Sequence, residues 1–195
     1  MDGDGKTFEV VNPGDLVIPP SGIMSVEAWF RIDGWDGGAD AHAVLFGRRN
    51  AGALTDMCTV EIHRDASTAT AFLATNFFYS GASHKAKTSS AVISVGTVYH
   101  AIWTNDQAGG ASSILLNGVD QSVGTTVSTT TVANSDRLYI GGNAGANSNV
   151  VGAWDEISPY GSVLSAADAL ALYNAGIGGG QSAALRHRLR RRRLA

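Results

Sequence analysis

The sequence predicts an all-β protein: an antiparallel two-sheet sandwich with one short helix near the C-terminus and a basic arm beyond it. Three observations carry that expectation. Short apolar runs bounded by turn chemistry recur along most of the 195 residues at the spacing of a β-sandwich. Asn117-Gly118, inside ILLNGVDQSV, is the dipeptide best suited to the positive φ angles of a type I′ turn and marks a hairpin. Only one stretch, beginning at Ser165, combines helical spacing with capping residues.

The strands follow in order. SVEAWFRI (Ser25 to Ile32) alternates, with Val26, Ala28, Phe30 and Ile32 on one face and Glu27, Trp29 and Arg31 on the other. HAVLFG, CTVEIHR, ATAFLAT, SAVISV, VYHAIWT, the two arms of SSILLNGVDQSV, RLYIGG and VGAWDEIS bring the count to eight or more. VGTTVSTTTVANS is rich in β-branched residues and suits an exposed strand or a long loop. The helix is capped by Ser165, with Asp168 in capping-box position, and contains Leu170, Leu172 and Tyr173. Asn174 and Gly176 end it after about two turns. Residues 1–176 are thus read as the sandwich, and 177–195 as a joint, Gly178 to Gly180, carrying an Arg-rich arm.

A chain of this length builds one domain with a sizeable core. No window approaches the ~20 apolar residues that span a bilayer, so a soluble protein without membrane insertion is expected. Cys58 is the lone cysteine, which excludes an intrachain disulfide and a cysteine-based zinc site; a small apolar role is its expected use. MDGDGKTFEVVNPGDLVIPP has neither part of a secretory signal, so export by the general pathway is not expected. The net charge of −3 conceals an asymmetry. Six of the fourteen Lys and Arg lie in RHRLRRRRLA, leaving residues 1–185 with eight basic against seventeen acidic side chains, a net −9.

DGKTFEVVNP, MSVEAWFRI, VYHAIWT, ILLNGVDQSV, RLYIGG and WDEISPYGSVLSAADALALYNAG stand in an order and spacing that resemble the laminin-G-like group of concanavalin A-like jelly rolls, over most of residues 3–176. The resemblance implies a jelly-roll sandwich whose last strand returns through the structure. A helical turn then covers one end of the core, with Trp154, Ile157, Leu164, Leu170 and Tyr173 buried. Asp155 and Glu156 become a strand pair pointing to opposite faces. Two residues depart from the family pattern: Tyr99 stands where Trp is usual, and Pro159 interrupts the last strand, which fits a strand end or edge. His100, in the strand that resembles the family's Trp-His signature, reads as a packing and hydrogen-bonding residue.

Catalytic chemistry is not expected. The glucanases of this superfamily take their acids from alternate positions on one strand face, whereas Asp155 and Glu156 are adjacent. Glu61 and Asp65 have His63 between them and no third acid, and no G-x-S-x-G nucleophile turn occurs.

Binding chemistry has three candidate locations. In DGWDGGADAH, Asp33, Asp36 and Asp40 offer hard oxygen ligands for calcium, the one cofactor considered, and Trp35 offers a flat face for a sugar. An acidic solvated loop is the favoured reading there. In TNFFYSGASHK, Asn76, Tyr79 and His84 suit glycan recognition, although burial of the aromatics in the core or in a homo-oligomer interface ranks first. Asn143, Asn147 and Asn149, in GGNAGANSN, would line a sugar site or serve ordinary turns.

The arm contributes Arg186, Arg188, Arg190, Arg191, Arg192 and Arg193, interrupted by Leu189 and followed by Leu194. Such clusters bind phosphate backbones or acidic protein surfaces. The −9 body repels a polyanion, so a protein partner ranks ahead of nucleic acid. The resulting expectation is a non-enzymatic virion surface protein, a phage capsid decoration or cement protein made in the host cytoplasm. The arm anchors it to capsid or other virion proteins, and its lectin-like domain faces host surface glycans. The alternative is a free carbohydrate-binding lectin-like module, with calcium dependence as one form of it.

Overall fold

The computed structural model describes residues 8–11, 23–36, 41–49, 56–64, 71–79, 82–88, 92–106, 109, 111–124, 137–140 and 149–178. Among them are twelve strands and one helix. The strands are β1 (Phe8–Val11), β2 (Ile23–Asp36), β3 (Ala41–Arg49), β4 (Asp56–Arg64), β5 (Ala71–Tyr79), β6 (Ala82–Thr88), β7 (Val98–Asp106), β8 (Ala111–Leu116), β9 (Val119–Asp120), β10 (Ser122–Val123), β11 (Arg137–Ile140) and β12 (Asn149–Tyr160); the helix is α1 (Ala166–Gly178). They form two antiparallel sheets, a seven-stranded one in the order β1-β11-β3-β4-β5-β6-β10 and a five-stranded one in the order β12-β2-β7-β8-β9.

The core lies between the sheets. Val26, Ala28, Phe30 and Ile32 of β2 enter it, as their alternation requires, and meet Val60 and Ile62 of β4, Leu73 of β5, Ala101 and Trp103 of β7, and Ile114 and Leu116 of β8. The β8–β9 hairpin turns on Asn117 and Gly118, whose φ angles of 52° and 78° are those of the expected turn type. Pro159 lies in β12, the edge strand of its sheet, where a missing N–H costs no ladder bond on the open side. Tyr99 stacks on Phe30 at 5.6 Å, and its phenolic oxygen accepts a hydrogen bond from the Ser94 N–H at 2.9 Å. Tryptophan at this place has only a donor to offer.

Several expectations are corrected. SAVISV is not a strand in its described part, Val92 to Val95, which makes one bridge, Ile93 to Ala71, and then turns at Gly96, which has φ +81°. ASHKAKT, not named among the strand runs, pairs along β5 and forms β6. The helix does not stop at Asn174 or Gly176 but runs on to Gly178, into the expected joint.

Gly176 acts as a contact rather than a terminator. A Cβ there would lie 2.3 Å from Cζ2 of Trp29, so only glycine lets the helix settle onto that indole. Leu170 is not buried as expected: it is 46% exposed, and Ala169, fully buried, takes the inward place among Ile102, Leu115, Leu164 and Leu172. The capping box forms as read. Ser165 Oγ accepts from the Asp168 N–H at 3.2 Å, while Asp168 Oδ2 accepts from the Ser165 N–H at 2.9 Å.

Gly176→Ala is expected to destabilise the domain although alanine is the better helix former. Overpacking against a rigid indole costs ~1–3 kcal/mol and the propensity gain returns at most ~1 kcal/mol. Leu170→Ala should change stability by less than about 1 kcal/mol. Urea denaturation midpoints of the two variants measure the contrast, and the reverse order would remove the close approach of α1 to β2.

Candidate functional site

β2 and β7 are buried on both faces. Their outer row, away from the sandwich core, pairs Ser25 with Thr104, Glu27 with Ile102 and Trp29 with His100. α1 covers this row, and Tyr173 stacks on Trp29 with ring centroids 6.0 Å apart. Trp29 and His100 contact at 4.7 Å. Ser25 ties the chain leading into the helix to β2: its hydroxyl donates to the Ser162 carbonyl at 2.7 Å and accepts from the Leu164 N–H at 2.9 Å.

Glu27, only 7% exposed, is the charged group in this layer. Its Oε1 lies 2.8 Å from Nε2 of the fully buried His100, and its Oε2 accepts the Tyr160 hydroxyl at 2.5 Å. A carboxylate only accepts, so the proton between Glu27 and His100 sits on Nε2. Asn117 completes the arrangement from the hairpin turn, its Oδ1 accepting the His100 N–H at 2.9 Å. Burial pushes the Glu27 carboxyl upward, but the hydrogen bonds from His100 and Tyr160 outweigh it and hold the group below its ordinary value of 4.5. Burial and the bond to Glu27 push the Tyr160 phenol up to about 12.

Beside this network β12 bulges. Asp155 pairs with Trp29 and Ser158 with Glu27, so Glu156 and Ile157 together face Ala28 alone. Glu156 sits at φ +53°, a left-handed conformation unusual for a residue with a side chain, and Asp155 Oδ1 accepts its N–H at 3.0 Å. The bulge interrupts the alternation that would send Asp155 and Glu156 to opposite faces. Glu156 instead joins Glu27, Trp29, Ser158, Leu172, Ala175 and Gly176 in lining a cavity of about 300 Å³ between β12 and α1. The walls are an indole, two aliphatic helix residues, a hydroxyl and two carboxylates.

Of the candidate binding residues singled out in the sequence, the structure describes the side chains of Asp33 and Trp35. Asp33 and Asp36 belong to β2 rather than to a loop. Asp33 is the extra residue of a second bulge, held by Arg31 through bonds of 2.7 and 2.6 Å. Trp35 is half-buried against the core, with the Arg64 guanidinium 5.9 Å from its ring centre, so its face is occupied. Among the described residues no group of three or more His, Cys, Asp or Glu is placed to hold a metal ion. Asn76 faces Lys85 in the register, Tyr79 faces Ala82 and His84 faces Phe77, which puts position 76 in one row and positions 79 and 84 in the other. The side chains of Asp36, Cys58, Asn76, Tyr79 and His84, and the whole of Asp40, Asn143, Asn147 and the arm from Arg186 to Leu194, lie outside the described residues.

Sequence reasoning missed Glu27, Ser158 and Tyr160 and weighed Glu156 only as a catalytic acid. A signal was present for the first: β2 and β7 both carry large residues on each face, as in strands buried on two sides.

The two shifts set the pH limits of stability. Glu27, whose carboxyl is held low, contributes stability that is present above its unfolded value and lost as pH falls through the folded one, below about 4.5. Tyr160, held high, contributes stability that is lost as pH rises from 10 towards 12. Tyr160→Phe is expected to flatten the alkaline limb of a stability-against-pH curve measured by chemical denaturation, and an unchanged limb would disconnect Tyr160 from Glu27.

The comparisons agree with this architecture. The profile of the concanavalin A-like lectin/glucanases superfamily matches residues 3–169. A native heptameric SAP-like pentraxin from Limulus polyphemus is 11% identical, with a TM-score of 0.59 over 77% of this chain and 69% of the pentraxin. The K499G mutant of NanB sialidase from Streptococcus pneumoniae is 13% identical, with a TM-score of 0.67 over 87% of this chain but 26% of the sialidase. The CBM40 of a Ruminococcus gnavus IT-sialidase, bound to α2,3-sialyllactose, is 12% identical, with a TM-score of 0.57 over 77% of this chain and 82% of the module. No curated protein matches the sequence. At such identities the solved structures establish the jelly-roll fold, while the profile covers most of the chain: it belongs to the concanavalin A-like lectin/glucanase superfamily.

Proposed function

We propose that this domain is a non-catalytic, lectin-like module that binds a glycan in the cavity between β12 and α1. The observation that carries the reading is the cavity wall, which brings carboxylates, a hydroxyl and the aliphatic side chains of Leu172 and Ala175 together in a space of about 300 Å³. Sugars use both kinds of surface, packing their apolar ring faces on aliphatic groups and exchanging hydrogen bonds with carboxylates and hydroxyls. Membership of a lectin-containing superfamily supports it. Catalysis is disfavoured by the state of Glu27. Glycoside cleavage needs a carboxylic acid with a raised pKa, and Glu27 is held low with both oxygens engaged, while Glu156 is exposed to solvent.

The same reading places the domain on a virion as a decoration protein, attached through its Arg-rich arm to capsid or other virion proteins and presenting the cavity to host surface glycans. Its support is the charge asymmetry of the sequence, an arm with six arginines on a body of −9.

Two measurements test these statements. A glycan array followed by calorimetry is expected to give binding without release of reducing sugar from β-glucans or sialosides; turnover abolished by Glu156→Gln would overturn the non-catalytic reading. Deletion of residues 181–195 is expected to leave glycan binding intact and to abolish co-sedimentation with particles. Full-length protein that never sediments with particles would make it a free lectin-like module.

A further inference from the structure

The cavity between β12 and α1 lies beside the end of the helix from which the arm departs. Gly176 lines it, α1 ends at Gly178, and the first basic residue beyond is Arg186. Two features make the cavity electronegative. Glu27 and Glu156 both belong to its wall, and Glu27 is held ionised by His100 and Tyr160. The C-terminal end of α1 adds the negative pole of the helix dipole, roughly half an elementary charge, with no basic residue in the last turn to offset it. Indeed β12 and α1, which supply most of the wall, contain no Lys, Arg or His of their own. The arm is the opposite in charge and close at hand. Ten residues separate Gly176 from Arg186, and a flexible chain of that length spans about 17 Å. Gly178 to Gly180 carry no Cβ and let the chain reverse without steric cost.

We infer that the arm, residues 181–195, folds back in the free protein and occupies the mouth of this cavity, and that a partner which takes the arm opens the cavity to glycan. The docking is a property of the chain itself; its effect on glycans rests on the glycan-binding reading and adds regulation of that site. Arginines of the arm meet the acidic wall through charge-assisted hydrogen bonds, and Leu185 and Leu189 supply apolar groups for Leu172 and Ala175. Acidic side chains occur elsewhere on the −9 body, but the cavity joins charge to aliphatic walls within reach of the tether. One exposed ion pair is worth little by itself. A short flexible tether, however, raises the effective concentration of the arm to the millimolar range, so that weak contacts suffice for high occupancy. The same weakness lets a partner with a larger acidic surface draw the arm away. One arm cannot hold a partner and the cavity together, so attachment and exposure of the cavity become a single event.

Nuclear magnetic resonance of the labelled full-length protein and of a form lacking residues 181–195 tests the docking without any sugar. Amide shifts are expected to differ at Glu156 and Ser158, which are far in sequence from the truncation, as well as at Leu172 and Ala175. The differences should shrink in high salt and when Arg186→Gln and Arg188→Gln are combined in the full-length chain. A synthetic peptide of residues 181–195, added at millimolar concentration to the truncated protein, should move its shifts toward the full-length positions. Identical shifts at Glu156 and Ser158 in the two forms would overturn the inference, as would differences confined to the seven-stranded sheet. Differences that grow with protein concentration would also overturn it, by assigning the cavity to the arm of a second copy. Calorimetry with the glycan selected on the array reads the consequence. The deletion, which leaves glycan binding in place, is expected to tighten it about fivefold, the factor that ~80% occupancy by the arm imposes. An affinity unchanged by the deletion would overturn the regulation. Failure of every glycan with both forms would overturn the glycan reading, while the shift comparison still decides the docking.

Discussion

A carboxylate buried at Glu27 is the constraint around which the five-stranded sheet is organised. Leaving such a group unpaired costs several kcal/mol, so the fold that contains it must bring donors to both oxygens. It does so from its two neighbouring strands, His100 of β7 on one side and Tyr160 of β12 on the other. The pair is not a device for maximum stability, since apolar residues in its place would serve burial equally well. What it fixes is register: a one-residue slip of either strand would present the wrong face to Glu27.

Covering that layer falls to α1, and the cover shapes the cavity. Gly176 lets the helix approach the Trp29 indole, Ser25 pins the segment that leads into the helix, and the Ser165–Asp168 capping box starts it at a defined place. β12 bulges at Glu156 and Ile157, and a cavity of about 300 Å³ is lined from β12 and α1 beside that bulge. The space left between them holds the only strained residue of β12, with Glu27 behind it. Packing and the proposed recognition therefore share residues: Trp29 and Glu27 are at once parts of the helix-covered layer and walls of the cavity.

The inner core was legible in the sequence because its signal is local. Val26, Ala28, Phe30 and Ile32 sit at period two, and Asn117-Gly118 and the Ser165–Asp168 pair carry their own backbone chemistry. The second buried layer was less so. Glu27 beside an apolar row resembles a solvated position until His100 and Tyr160, 73 and 133 residues away, are brought to it. Leu170 was favoured over Ala169 because size suggests burial, yet the close approach of helix to sheet selects the small residues, Ala169 and Gly176. The bulge at Glu156 had no sequence mark, since left-handed backbone is usually announced by glycine or asparagine. Trp35 was chosen as a sugar platform by residue type, but the packing that brings the Arg64 guanidinium to 5.9 Å from its ring is set by strand register and leaves no mark in composition.

The central claim, that recognition occurs on the helix-covered side of the five-stranded sheet, is tested most directly by nuclear magnetic resonance. Isotopically labelled protein would be titrated with the tightest-binding glycan from the array. The account predicts that the largest amide shift changes fall on Glu156, Ile157, Ser158, Ala175 and Gly176. Changes concentrated instead on the outer row of the seven-stranded sheet, around His63 and Phe72, would contradict it and move the site to the other side of the sandwich.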